Sequence, residues 1–316
     1  MTKPEASKSS LSRRSVLMGG LAATVIGKPA FAQAAPIVIG VGSDPVFTPI
    51  LLAAHEKLFA AQGLDVMVKP YTDGGTAMDA LVARQVQLGC ASEPTHLLRA
   101  ARADLRPLAV VQESGRYIKL AARKGLTANQ VRKFGIAQGS VNEYVTGLFL
   151  KKMGIDPASV QYVKSGPPEM PALLARGDID GFFLWEPWPT NAIRAGADVL
   201  MTSEEVGYKS TLWLTSLGSW LETEKAAAQT VLKAVKQGAE IAKKDPQRAA
   251  AAVQAIIKMP PSTSLGLIKE LDETVRDFND QDVKTVAGIS DFLVQQKMIQ
   301  APVDPNKFLQ IGFFKG

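Results

Sequence analysis

An α/β fold of two similar lobes, followed by a helical C-terminal segment, is what this 316-residue chain predicts. Three observations carry it. Short apolar runs alternate with helical patterns over the first two thirds of the chain, which implies parallel sheets with helices on both faces. A helix–turn–strand unit recurs: Met78, Ala80, Leu81, Ala83, Arg84 and Gly89 match Met170, Ala172, Leu173, Ala175, Arg176 and Gly181 at one constant offset, and Glu93-Pro94 matches Glu186-Pro187 after a one-residue slip. Beyond about Glu222 the pattern turns almost purely helical.

The elements follow in order. Pro36–Val41 reads as a strand and Phe47–Gln62 as a helix, with Gly63 past its end. Leu64–Pro70 is a strand, and Thr76–Arg84 a helix led by Asp73-Gly74-Gly75. Leu108–Gln112 and Ile118–Arg123 follow as strands. Phe134–Ala137 and Val160–Val163 are strands around the helix Asn142–Met153, which Gly154 closes before the Asp156-Pro157 turn. The stretch 180–189, DGFFLWEPWP, runs five apolar residues into a glutamate between prolines and tryptophans. It reads as a buried strand that stops at its prolines, leaving Trp185 and Trp188 at the carboxyl edge, where open α/β sheets bind ligands. Core aromatics under a loop are the plainer alternative. The C-terminal helices are Glu222–Lys244, Pro246–Met259, Ser262–Phe278 and Asp282–Lys297.

The amino terminus addresses the compartment. Ser12-Arg13-Arg14-Ser15-Val16-Leu17 is a twin-arginine pattern, followed by an apolar stretch to Ile26 and a small-x-small cleavage site at Ala32-Gln33-Ala34. Residues 1–34 are therefore expected to be a cleaved export signal, with no cysteine behind it for a lipid anchor. This leader holds five basic residues against Glu5, so +4 of the formal net charge of +6 belongs to it and +2 remains for the rest. No basic run with interleaved aromatics suggests nucleic acid. The single cysteine, Cys90, cannot form an internal disulfide and fits a small core residue.

Three stretches, GLDVMVKPYTDGGTAMDAL, GIAQGSVNEYVTGLFLKKMGIDPASVQYV and LLARGDIDGFFLWEPWPTNAIRAGADVL, resemble the extracytoplasmic solute-binding proteins of ABC importers. The likeness is to the nitrate/sulfonate/taurine-type family, which also contains thiamine-precursor binders. It implies a type II-like clamp whose chain crosses twice between lobes: 35–117 with 215–316 form lobe one, and 118–214 form lobe two. Crossings are expected near Ser114–Arg123 and Lys209–Leu217. The implied role is delivery of a small organic oxyanion, sulfonate- or carboxylate-like, to a membrane permease and its ATPase, as a periplasmic monomer. A sensor feeding a membrane receptor, or a binder of a thiamine-precursor-like heterocycle, are the alternatives.

The resemblance maps ligand contacts onto five segments: Ser43, Asp44, Phe47 and Thr48; Gly74, Gly75 and Thr76; Ser92 and Glu93; Gln138, Gly139, Ser140 and Asn142; Trp185, Glu186 and Trp188. Chemistry supports two of them directly. Gly139-Ser140 and Gly74-Gly75 each precede a helix, where exposed amides make an anion seat. Ser140 serves equally as an ordinary N-cap. Glu93 and Glu186 would repel an anion, so they either meet a cationic group on the ligand or neutralise a helix start, and the second reading is favoured.

Nothing points to catalysis. The only histidines, His55 and His96, lack partners at metal-ligand spacing, and no G-x-S-x-G, P-loop or C-x-x-C occurs. The cysteine-rich motif of the family's pyrimidine-synthesising enzymes cannot be built from one cysteine. No cofactor is expected.

Overall fold

The computed structural model describes residues 35–316; the expected export signal at 1–34 lies outside them. The described chain forms two five-stranded sheets. The first uses β1 (Ile37–Gly42), β2 (Val66–Tyr71), β3 (Leu88–Ser92), β4 (Leu105–Ser114) and a late strand. The second uses β5 (Ile118–Ala122), β6 (Lys133–Ile136), β7 (Gln161–Lys164), β8 (Gly181–Trp185) and β9 (Asp198–Thr202), after which the chain returns to the first sheet as β10 (Ser210–Leu217). The orders are β2-β1-β3-β10-β4 and β7-β6-β8-β5-β9. They are the same arrangement, and each sheet takes in one strand directly after a crossing.

That inserted strand corrects the expectation of purely parallel sheets. β1 pairs parallel with β2 and β3, but β10 lies antiparallel to β3 and β4. β6 likewise pairs parallel with β7 and β8, whereas β5 lies antiparallel to β8 and β9. A strand entering from the other sheet arrives from the cleft side and has to run against its neighbours. The crossings are tighter than expected, at residues 115–117 and 203–209, because β10 already belongs to the first sheet from Ser210. The recurrent unit occupies equivalent places: Met78 and Met170 are wholly buried on helices that lead into β3 and β8.

Two helices differ from expectation. The first is broken: Thr48–His55 and Leu58–Ala61 are separated by Lys57, whose φ of 57° is left-handed. The expected helix Ser262–Phe278 is real only as Pro261–Ile268. Beyond it, Asp272 and Arg276 bridge antiparallel to Glu113 and Val110 on the edge of β4. Arg276 is held there by Asp282 at 2.6 Å and by Glu113 at 3.0 Å, the latter a long-range partner that no local pattern announces. The longest helix, Gly218–Lys244, lays Ala228, Val231, Leu232 and Val235 against the first sheet's core, with Ile50, Leu51 and Leu52 of the opening helix. Trp213 of β10 is fully buried, edge-on to Phe278 at 5.5 Å.

Candidate functional site

Strand ends from both sheets converge on one cavity of about 330 Å³. From the first sheet come Asp44 and Phe47 beyond β1, Gly74, Gly75 and Thr76 beyond β2, and Ser92 at the end of β3. From the second come Gln138, Gly139 and Ser140 beyond β6, Ser165, Gly166 and Pro167 beyond β7, and Trp185 at the end of β8. Tyr117 comes from the first crossing, Ser114 from the end of β4, and Ser210 and Leu212 from the start of β10. Parallel strands run their carboxyl ends to the same edge, so the loops after them meet there.

Local sequence sets each loop. Asp73 caps the helix Gly74–Val82, its Oδ1 accepting the Thr76 amide at 2.8 Å and the Thr76 hydroxyl at 3.1 Å. Gly74 is small because a Cβ there would sit 3.1 Å from that of Ala91. Gly139 takes a φ of 74°, which glycine adopts without strain. Ser140 caps the helix Val141–Met153 by accepting the Asn142 amide at 3.2 Å and donates its hydroxyl to Ala137 O.

Six residues expected at the site are not among those that line this cavity. Ser43 is exposed and donates to Tyr71 O at 2.7 Å; Thr48 is buried and donates to Pro45 O. Asn142 is wholly buried: its amide donates to Gly135 O and Phe183 O, while its oxygen accepts the Ala137 amide. It ties β6 to β8. Trp188 packs in the apolar cluster of the second sheet, against residues such as Met170 and Phe182. Glu93 accepts the Tyr208 hydroxyl at 2.6 Å and both the amide and hydroxyl of Thr211 at 2.8 Å. Glu186 accepts Lys119 Nζ at 2.6 Å and the Thr190 amide at 3.1 Å. Both glutamates therefore brace the strand inserted after a crossing, β10 in one sheet and β5 in the other. Only Glu186 also caps a helix.

The anion seats are less bare than expected. The Gly139 amide donates to Glu143 at 3.1 Å, so part of the second sheet's seat is filled internally. The cavity's one guanidinium, Arg99, was not foreseen. It pairs with Asp79 through Nε at 2.7 Å and Nη2 at 3.0 Å, and donates to Thr95 O and Gly75 O at 3.1 Å. Arg99 lies one helical turn beyond Thr95, and Thr95 two residues beyond Glu93; a helical projection from the Glu-Pro step would have exposed it. Asp44 is 5% exposed, and burial pushes its carboxyl up to about 7, against the lowering effect of bonds from the Val46 amide and the Tyr117 hydroxyl. His96 lies against Trp213 at 5.1 Å, and burial pushes it down to about 3, so it stays neutral. Among the described residues no group of three or more His, Cys, Asp or Glu is placed to hold a metal, and no helix is long and apolar enough to cross a membrane.

Two matched mixed sheets, joined by two crossings and sharing one cavity at their strand ends, define the fold class of the two-lobed solute-binding proteins. The chain belongs to the NMT1-like family, whose model matches residues 32–257. It is 26% identical over 202 residues to the taurine-binding periplasmic protein of Escherichia coli K12, a match covering 62% of this chain and 61% of that one. The chain thus spans about three fifths of that relative's length. Its fold matches the periplasmic aliphatic sulphonate binding protein SsuA of Escherichia coli with a TM-score of 0.77 at 16% identity, covering 86% of this chain and 96% of that one. The alkanesulfonate-binding protein SsuA of Xanthomonas axonopodis pv. citri, solved with MOPS, gives 0.75 at 18% identity, covering 88% and 99%.

Proposed function

We propose that this chain is the solute-binding component of an ABC importer. It is exported to the periplasm by its twin-arginine leader, captures a small organic oxyanion between its two sheets, and delivers it to a permease and ATPase in the membrane. One lobe comprises the first sheet with the C-terminal helices, the other the second sheet. The observation that carries the reading is the shared cavity: two helix N-termini from opposite sheets, a guanidinium and several hydroxyls open into a space with apolar walls from Phe47, Leu212 and Trp185. Helix N-termini favour negative charge and the apolar walls favour a carbon skeleton, so an organic anion fits better than a bare inorganic one. The taurine- and sulphonate-binding proteins named above support the same class.

A thermal-shift screen of short organic sulfonates, carboxylates and phosphonates, beside neutral and cationic compounds of similar size, tests it. A ligand that binds only the folded state raises the melting temperature by mass action. Stabilisation by members of this set is expected; stabilisation by neutral or purely cationic compounds alone refutes the assignment.

A further inference from the structure

The cavity's charge is at odds with a plain anion. Three carboxylates line it, Asp44, Asp73 and Asp79, against the single guanidinium of Arg99. Arg99 is already paired in a fork with Asp79. Asp73 is spent on Thr76 as a cap. Asp44 alone of the three is buried without a cationic partner, whereas Asp73 is only partly buried. Its Oδ1 accepts the Val46 amide at 2.9 Å and the Tyr117 hydroxyl at 3.2 Å, and no Lys or Arg among the described residues pairs with it. Its Oδ2 accepts no hydrogen bond from any described residue, yet it is not sealed among the buried orphaned atoms; the side chain's small exposure opens on the cavity.

A cap at Val46 needs only one acceptor oxygen, which Asn or Ser supplies without charge. Burying a carboxylate to do that work costs more than it returns unless the charge has a partner. Among the described residues that partner is missing, and the free oxygen faces the ligand space. Resting on the oxyanion reading above, we propose that Asp44 is a specificity-determining residue that receives an ammonium group, so the ligand is a short zwitterion: an oxyanion held at the helix N-termini and an amine held at Asp44. Tyr117, whose hydroxyl is kept protonated by burial and by the Asp44 charge, donates to Oδ1 and so holds the carboxylate with Oδ2 free. The ammonium of a zwitterion also offsets the Asp44 charge that a simple anion would face.

Calorimetric titration with matched pairs tests this: 2-aminoethanesulfonate against ethanesulfonate, β-alanine against propionate, and 2-aminoethylphosphonate against ethylphosphonate. The wild-type protein is expected to bind the amino member of at least one pair about tenfold or more tighter than its partner, the preference of a charge-assisted bond in a desolvated site. Asp44→Asn keeps the shape and the Oδ1 acceptor, so it is expected to abolish that preference while the des-amino compound binds as before or better. Equal or tighter wild-type binding of the des-amino members overturns the proposal and leaves the oxyanion reading standing. An equal loss for both members in Asp44→Asn makes Asp44 structural and overturns it too. If that variant fails to fold, the wild-type preference and Tyr117→Phe, expected to narrow it, still decide. Failure of every compound to bind removes the oxyanion reading, and this inference with it.

Discussion

Trp185 packs against all three apolar clusters of the molecule and still presents part of its ring to the cavity. Trp188, three residues on, touches only the second sheet's cluster and does not line the cavity. The two should separate on mutation. Trp185→Ala is expected to weaken ligand binding by roughly tenfold to a hundredfold, corresponding to about 1–3 kcal/mol of lost burial and stacking. Trp188→Ala should lower the denaturant midpoint and leave affinity alone. The opposite assignment of the two effects refutes the placement of Trp185. Glu93 offers a second test. Burial raises its carboxyl to about 7, the Tyr208 and Thr211 bonds only partly offsetting this, and it has no cationic partner among the described residues. A carboxyl raised on folding binds more protons in the native state than in the unfolded one. Its stabilising contribution is thus complete below pH ~4.5 and lost as pH rises through ~7. His96 is depressed, so its contribution runs the other way, fading as pH falls below ~6.5. The opposing terms blur the wild-type profile, but His96 cancels in a difference. The stability of wild type minus Glu93→Gln, from denaturant melts, should fall by on the order of 3 kcal/mol between pH 4.5 and 8. A flat difference means that Glu93 titrates normally.

At the scale of elements, Asn142 is the side chain on which the second sheet's loop depends. It gives two hydrogen bonds to carbonyls on β6 and β8 and takes one from Ala137, all without solvent. Asn142→Ala removes a side-chain partner from three buried backbone groups, a loss of roughly 3–5 kcal/mol in unfolding free energy. A normal denaturant midpoint with poor ligand binding would return Asn142 to the ligand-facing set. What could be read in advance follows from the range of the interactions. Strands and helices came within a few residues because periodicity and caps such as Ser140 and Gly154 are local. Two loops of the cavity, at residues 74–76 and 138–140, were legible too, since a Gly-rich turn between strand and helix carries its own signature, whereas the loop at 165–167 was not. Which way a side chain points within those loops was not. Ser43, Thr48, Glu93, Asn142, Glu186 and Trp188 lie within a few residues of the cavity, and for the two glutamates the orientation is decided by partners far along the chain, Thr211 for Glu93 and Lys119 for Glu186. The extended segment at Asp272–Arg276 was unreadable for the same reason, being fixed by β4.

At the scale of the whole molecule, bending is expected at the two crossings, and these are tied together. Gly115 O accepts the Ser203 hydroxyl and the Glu204 amide, both at 3.0 Å, so one crossing cannot move without the other. Ion pairs span the same region: Lys119 of β5 bridges Glu186 and Glu270, while Lys209 and Arg116, one in each crossing, both reach Asp272. β5 and β10 on either side are held in sheets by neighbours on both edges, which leaves residues 115–117 and 203–209 as the segments able to absorb a change of backbone angle. Ligand bound at strand ends of both sheets gains most when both close on it. Solution scattering should therefore show a smaller radius of gyration with a saturating ligand from the thermal-shift screen than without it. Gly115 gives the control. A Cβ there would stand 2.6 Å from that of Glu204, and since this neighbour is close to backbone, the crossings have to part to make room. Gly115→Ala is expected to diminish the ligand-induced contraction and to weaken binding, although Gly115 does not line the cavity. Full contraction and full affinity in that variant would move the hinge away from the crossings, and an unchanged radius in the wild-type protein with binding confirmed would remove closure by bending altogether.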